Sequence, residues 1–140
     1  MKPDLNTTIS MNIKSEEKNI KIVSAEILNF IKDRKKHIDK DTLFDIKLCV
    51  EEALRNAMIH GNKSDAGLDV LIGYEIAKNT ICISIKDYGK GFEVKKIPDP
   101  TEEDNLYKGG GRGVYIIHRL MDHVQYVDNG SRVIMKKKLV

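Results

Sequence analysis

The sequence predicts an α/β domain of the α+β kind: a two-layer sandwich with about three helices covering one face of a mixed, mostly antiparallel sheet. Three observations predict it. The stretches Ile20 to Ile31 and Leu43 to Ala57 repeat apolar residues at helical spacing. Leu68 to Ile76 and Thr80 to Lys86 alternate instead, and the short connection around Ala77-Lys78-Asn79 makes them an antiparallel hairpin. At 140 residues the chain has room for one sizeable core and hardly for two, so a single domain over 1–140 is expected. Helices with one apolar stripe and strands with one apolar face bury them against each other.

The elements follow in order. Asn6 to Ile13 places apolar side chains near every second position and reads as a strand. Ser15 is the expected N-cap of a first helix, whose early acids Glu16 and Glu17 suit the positive end of its dipole. Its apolar stripe is Ile20, Val23, Ile27, Phe30 and Ile31, and the basic run from Lys32 to His37 suits its far end. Asp41-Thr42 is expected to cap a second helix carrying Leu43, Ile46, Val50, Ala53, Leu54 and Ala57, which stops at Gly61-Asn62. After a polar loop from Lys63 to Gly67 comes the hairpin. Asp87 to Gly113 then holds six glycines and two prolines without periodicity, too long for an idle connection, so it is either a lid or disordered. A third helix from Val114 through Met121, a strand from Val124 to Val127, a turn at Asp128-Asn129-Gly130 and a last strand from Arg132 complete the chain.

Composition excludes several classes. No run approaches the roughly 20 apolar residues that a bilayer crossing needs, and Met1-Lys2-Pro3-Asp4 opens no apolar leader, so a cytoplasmic address without membrane contact is expected. The net charge is +3, with basic and acidic residues interspersed, which argues against nucleic acid. The exception, Lys136-Lys137-Lys138, continues Val133-Ile134-Met135 and reads as a strand running out into solvent. Cys49 and Cys82 each lie in an apolar run, without a CxxC pair or a Cys/His cluster, and read as buried thiols.

Three blocks carry chemistry. In Glu51 to Gly61, Glu52 and Asn56 are one i,i+4 step apart and share a helix face beside the apolar stripe. An amide oxygen suits Mg²⁺ and a carboxylate one turn away can deprotonate a hydroxyl, although a Glu and an Asn at a helix edge are also ordinary solvated residues. Asp87-Tyr88-Gly89-Lys90-Gly91 follows a strand directly. A carboxylate held there can accept a hydrogen bond from an exocyclic amine such as that of adenine, or simply close a glycine-rich turn. Lys108-Gly109-Gly110-Gly111-Arg112-Gly113 runs into the third helix, where bare N–H groups favour an anion and Lys108 and Arg112 add positive charge. A flexible hinge is the alternative. Neither the Walker spacing nor that of a Rossmann turn is present.

In this order, with a lid-length gap between the second and third, the blocks resemble the N, G1 and G2 boxes of the GHKL (Bergerat-fold) ATPases. Within that superfamily, Glu52-Ala53-Leu54-Arg55-Asn56-Ala57-Met58-Ile59-His60-Gly61 is similar to the anti-sigma-factor serine/threonine kinases of bacterial partner-switching systems. So is Gly110-Gly111-Arg112-Gly113-Val114-Tyr115-Ile116-Ile117 followed by Met121-Asp122. The resemblance covers nearly the whole chain. It implies ATP and Mg²⁺ as cofactors, with Asn56 on the metal, Glu52 as the catalytic base and Asp87 on the adenine amine. Gly89 and Gly91 would shape the adenine pocket. Lys108, Gly109, Gly110, Gly111, Arg112, Gly113 and Val114 would meet the triphosphate beneath a lid at about 92–112. It further implies a sigma factor as a bound partner, an anti-sigma-factor antagonist as the phosphorylated substrate, and a homodimer. The family often has an Arg just before these glycines, where this chain has Gly109 beside Lys108. The hydroxyl that it supplies near adenine would fall at Ser131, next to Arg132. A non-catalytic module, whose nucleotide-ordered lid controls partner binding, is the alternative reading.

Overall fold

The computed structural model describes residues 8–89 and 109–139, with the backbone alone for 109–112. β1 (Ile9–Lys14) leads into α1 (Lys18–Arg34) and α2 (Lys40–Asn56), and α2 runs on without a break into a π-helical turn (Ala57–Gly61). The hairpin β2 (Asp69–Ala77) and β3 (Thr80–Lys86) follows, then α3 (Gly109–Leu120), β4 (His123–Val127) and β5 (Arg132–Lys138). The sheet order is β1-β2-β3-β5-β4. All four pairings are antiparallel, so among the described residues the sheet has no parallel component.

Period-two patterning sets the register. Met11 opposes Ile72, which opposes Ile85, which opposes Val133, and that row points toward the helices. A slip of one residue would turn the row to solvent and bring Ser84 and Lys86 inward, so burial of one face fixes the pairing. Val70, Ile72, Tyr74, Ile76, Ile81, Ile83, Ile85 and Met135 line the inner face, and α1 and α2 press Ile27, Ile31, Ile46, Val50 and Leu54 onto it. Phe30 meets Tyr74 edge to face at 4.9 Å, joining α1 to the sheet. Burying a side chain of this size contributes about 1.5–3 kcal/mol, so this contiguous cluster outweighs any surface ion pair in the protein.

Three boundaries differ from the sequence reading, each for a local reason. The residue preceding α1 is Glu17, already helical and without a side-chain cap. Ser15 is buried instead, and its hydroxyl donates to the Leu68 carbonyl at 2.7 Å, tying the β1–α1 corner to β2. α2 begins at Lys40 behind Asp39, whose carboxylate accepts the Asp41 N–H at 3.4 Å. α3 starts at Gly109, inside the glycine run rather than after Gly113. Helical backbone costs glycine entropy, but α3 packs along α2 and that contact sustains its first turns. Among the described residues, no helix is long and apolar enough to cross a membrane.

Candidate functional site

The second helix carries the first group. Its buried stripe of Ile46, Cys49, Val50, Ala53 and Leu54 turns Glu52 and Asn56 to the flank, where both are half-buried. The glycine run of α3 comes up to this flank. A Cβ at Gly113 would lie 2.9 Å from Glu52 Oε2, 3.3 Å from Asn56 Nδ2 and 3.4 Å from Asn56 Oδ1. A side chain at position 113 would have to displace the Glu52 carboxylate or hold α3 farther away. Gly113 is the fifth residue of α3, so one carboxylate and one amide lie beside the helix just past its first turn, whose N–H groups are unpaired within the helix. Glu52 uses its other oxygen, Oε1, to accept Arg55 Nη1 at 3.0 Å. The Asn56 amide makes no hydrogen bond to any described residue.

The second group lies where the π-helical turn ends. Asp87 follows β3 and is held by its backbone N–H, which donates to the Ser131 carbonyl at 2.9 Å. The residue is 7% exposed, and its carboxylate accepts the Gly89 N–H at 2.9 Å. Burial raises its pKa above the ordinary value, against the lowering effects of the Gly89 N–H and the neighbouring Lys86 ammonium. Gly61 packs directly on this carboxyl group, which a Cβ at position 61 would overlap. A Cβ at Gly89 would likewise overlap the Gly61 carbonyl. These two glycines thus let the end of the helical segment seat itself on the Asp87 turn.

Asn62 is a residue that sequence reasoning missed, having taken Gly61-Asn62 for a helix stop. It is 1% exposed. Its Nδ2 donates to Ser15 Oγ at 2.8 Å and to the Asp69 carbonyl at 3.0 Å, while its Oδ1 accepts the Tyr88 N–H at 2.8 Å. One amide thereby fixes the β1–α1 corner, the start of β2 and the turn after Asp87. Its only sequence signal is its place after the glycine that ends a helix, which any exposed cap would share.

Among the remaining expected residues, Val114 is half-buried in α3, and Gly109, Gly110 and Gly111 lie in its first turn. Arg112 belongs to the same turn, but its side chain is outside the described residues, as are Gly91, Lys108 and nearly all of the 92–112 segment. Ser131 is brought beside Asp87, yet its hydroxyl donates to the Asp128 carbonyl at 2.8 Å. Arg132 turns to the outer sheet face, donating to Ser84 Oγ at 3.0 Å and Asp128 Oδ2 at 3.1 Å. Both cysteines are free, and burial pushes the Cys49 thiol up to about 12.

Among the described residues, no three His, Cys, Asp or Glu side chains gather into a metal site. One amide beside one carboxylate suits a cation that arrives with oxygen ligands of its own, as Mg²⁺ does on phosphates. The comparison with known families decides the assignment: residues 13–137 match the histidine kinase-like ATPase domain. The chain belongs to the histidine kinase-like ATPase family. Its α+β architecture, among the described residues an antiparallel sheet with three helices on one face, is consistent with that family. Among the relatives of this histidine kinase-like ATPase is an anti-sigma F factor of Clostridium perfringens, 34% identical over 105 residues. That match covers 71% of this chain and 74% of the relative. An anti-sigma F factor of Clostridium botulinum is 35% identical over 106 residues, covering 70% and 72%. A serine-protein kinase RsbW of Oceanobacillus iheyensis is 30% identical over 106 residues, covering 71% and 67%.

Proposed function

We propose that this chain is an ATP-dependent protein serine kinase and anti-sigma factor of a bacterial partner-switching system, phosphorylating a serine or threonine of an anti-sigma-factor antagonist. The observation that carries the reading is the approach of Gly113 to Glu52 and Asn56. It supports a base and a neutral cation ligand side by side, just past the first turn of a helix whose leading N–H groups would suit an anion. The kinase and anti-sigma names of the relatives support the same reading.

The residues fit a magnesium nucleotide: Gly113 stands where a Cβ would crowd Glu52 and Asn56, and the Asn56 amide is uncommitted among the described residues. Bound Mg-ATP supplies the γ-phosphoryl group as electrophile. Asn56 would hold the metal, and the N–H groups of the first turn of α3 would receive phosphate oxygens. Asp87 would accept a hydrogen bond from the adenine amine. Glu52 Oε2 would take the proton of the acceptor hydroxyl as its oxygen bonds to the γ-phosphorus and the bond from that phosphorus to the bridging oxygen breaks, releasing ADP, a role worth about 10²–10⁴-fold in rate. The chain works in the cytoplasm as a homodimer, for which β1, an edge strand of the sheet, is a natural contact.

The test is capture of the antagonist from the native host, followed by transfer of radiolabelled γ-phosphate from ATP. Wild-type protein labels a serine or threonine of the captured antagonist. Asn56→Ala loses Mg-dependent ATP binding, whereas Glu52→Ala binds ATP normally and loses transfer. Equal loss of binding in both variants contradicts the division of roles, and tight ATP binding without any transfer by wild type leaves a non-catalytic module.

A further inference from the structure

Arg55 has no part in the chemistry described so far, yet it touches the residue at its centre. Its Nη1 donates to Glu52 Oε1 at 3.0 Å across one helical turn, with 40% of the Arg55 side chain and 21% of the Glu52 side chain exposed. The other carboxylate oxygen, Oε2, is the one that meets the Gly113 position. The two oxygens thus have different duties, one tied to a guanidinium on its own helix and one presented to the start of α3. An ion pair this exposed is too weak to matter for folding. Its geometry, however, selects one rotamer of a side chain with three rotatable bonds. Fixing a base within a fraction of an ångström is where a weak contact has a large effect on rate.

We propose that Arg55 is a positioning residue for phosphotransfer, which holds Glu52 by Oε1 so that Oε2 alone faces the acceptor hydroxyl. The inference rests on the reading of Glu52 as the base. Arg55 also lines a cleft of about 340 Å³ between the start of α1 and the end of α2, together with Glu17, Lys18, Ile20, Lys21 and Glu51. The Arg55 side chain is therefore open to solvent on that side while its guanidinium holds Oε1.

The experiment compares wild type, Arg55→Ala, Arg55→Lys, Glu52→Ala and the Glu52→Ala/Arg55→Ala double variant. Phosphotransfer, calorimetric affinity for a non-hydrolysable Mg-ATP analogue, and the side-chain carboxyl ¹³C signal of Glu52 in the nucleotide-free protein are measured for each where applicable. Arg55→Ala should lower kcat about 10–100-fold, within the range that a positioned base contributes, with KM for ATP and analogue affinity unchanged. It should also move the Glu52 ¹³C signal, and Arg55→Lys, which restores a cation at the same spacing, should recover most of the rate. In the Glu52→Ala background, loss of Arg55 should cost nothing further. If Glu52→Ala retains full transfer, the base reading itself fails. If Glu52→Ala is inactive while Arg55→Ala turns over as fast as wild type or faster, Arg55 does not position Glu52. An unmoved ¹³C signal overturns the inference equally.

Discussion

Replacing Gly61 by alanine sets two physical effects against each other, and the site decides the sign. Gly61 closes the π-helical turn Ala57–Gly61, and the left-handed conformation appears at a different described glycine, Gly130. Helix propensity alone would then favour alanine by about 1 kcal/mol. The new Cβ, however, would overlap the Asp87 carboxyl group. Relief requires that carboxyl to move, which breaks its 2.9 Å hydrogen bond from Gly89 N–H. Losing a hydrogen bond to a charged acceptor costs about 1.5–3 kcal/mol, and overpacking adds about 1–3 kcal/mol. The expected net loss is roughly 1.5–5 kcal/mol after the propensity gain. In a chain of this size that corresponds to a fall of roughly 5–15 °C in Tm. Differential scanning fluorimetry of the nucleotide-free protein reads it, and titration with Mg-ATP should show weaker affinity, because the displaced carboxyl would no longer stand where the adenine amine is to meet it. A Gly61→Ala protein that melts higher and binds ATP normally would refute the packing of Gly61 on Asp87.

Other variants separate base recognition from stability. Asp87→Asn should weaken ATP about 10–100-fold, the value of one hydrogen bond to a charged group, and leave inorganic triphosphate nearly unaffected. Because burial raises the Asp87 pKa in the fold, its contribution to stability is complete below the unfolded value near 4 and is lost as pH rises through the folded value. The nucleotide-free Asp87→Asn protein should therefore melt no lower than wild type at pH 7, and urea titrations at pH 4 and pH 7 should show its advantage growing with pH; the reverse trend would contradict the burial argument. Asn62→Ala removes three hydrogen bonds from a buried amide and should cost about 2–4 kcal/mol by urea titration, with weaker ATP binding because the Tyr88 turn loses its anchor. Cys49, with its thiol pushed up to about 12, should resist a disulfide reagent at pH 8 until the protein unfolds, and prompt labelling of native protein would contradict its burial.

What the sequence made legible follows from periodicity. The stripes of α1 and α2 and the alternation of β2 and β3 each repeat many times, so tertiary packing had only to agree with them. The helix starts were harder to read. Ser15 offers the right chemistry for an N-cap, but a buried hydrogen bond to Leu68, far along the chain, claims its hydroxyl. The beginning of α3 was hidden because glycines lower local helix propensity, and the contact with α2 that sustains them lies outside the local sequence. At the site, spacing alone puts Glu52 and Asn56 on one face, and the order of the three blocks links them to Asp87. Nothing local reveals that Gly61 packs on Asp87 or that Asn62 joins three segments, because each contact is made across the fold. The Arg55 pair lies within reach of an i,i+3 rule, but that rule cannot tell a solvated surface pair from one beside a glycine collar.

Calorimetric titration of the wild-type protein with Mg-ATP, and in parallel with Mg-GTP, bears most directly on whether the α2 flank, the Asp87 turn and the start of α3 together form a nucleotide site. Saturable binding of one Mg-ATP per chain, with Mg-GTP at least about 10-fold weaker for want of the adenine amine that Asp87 would accept, is the expected result. No heat with Mg-ATP, or equal affinity for the two nucleotides, would contradict it.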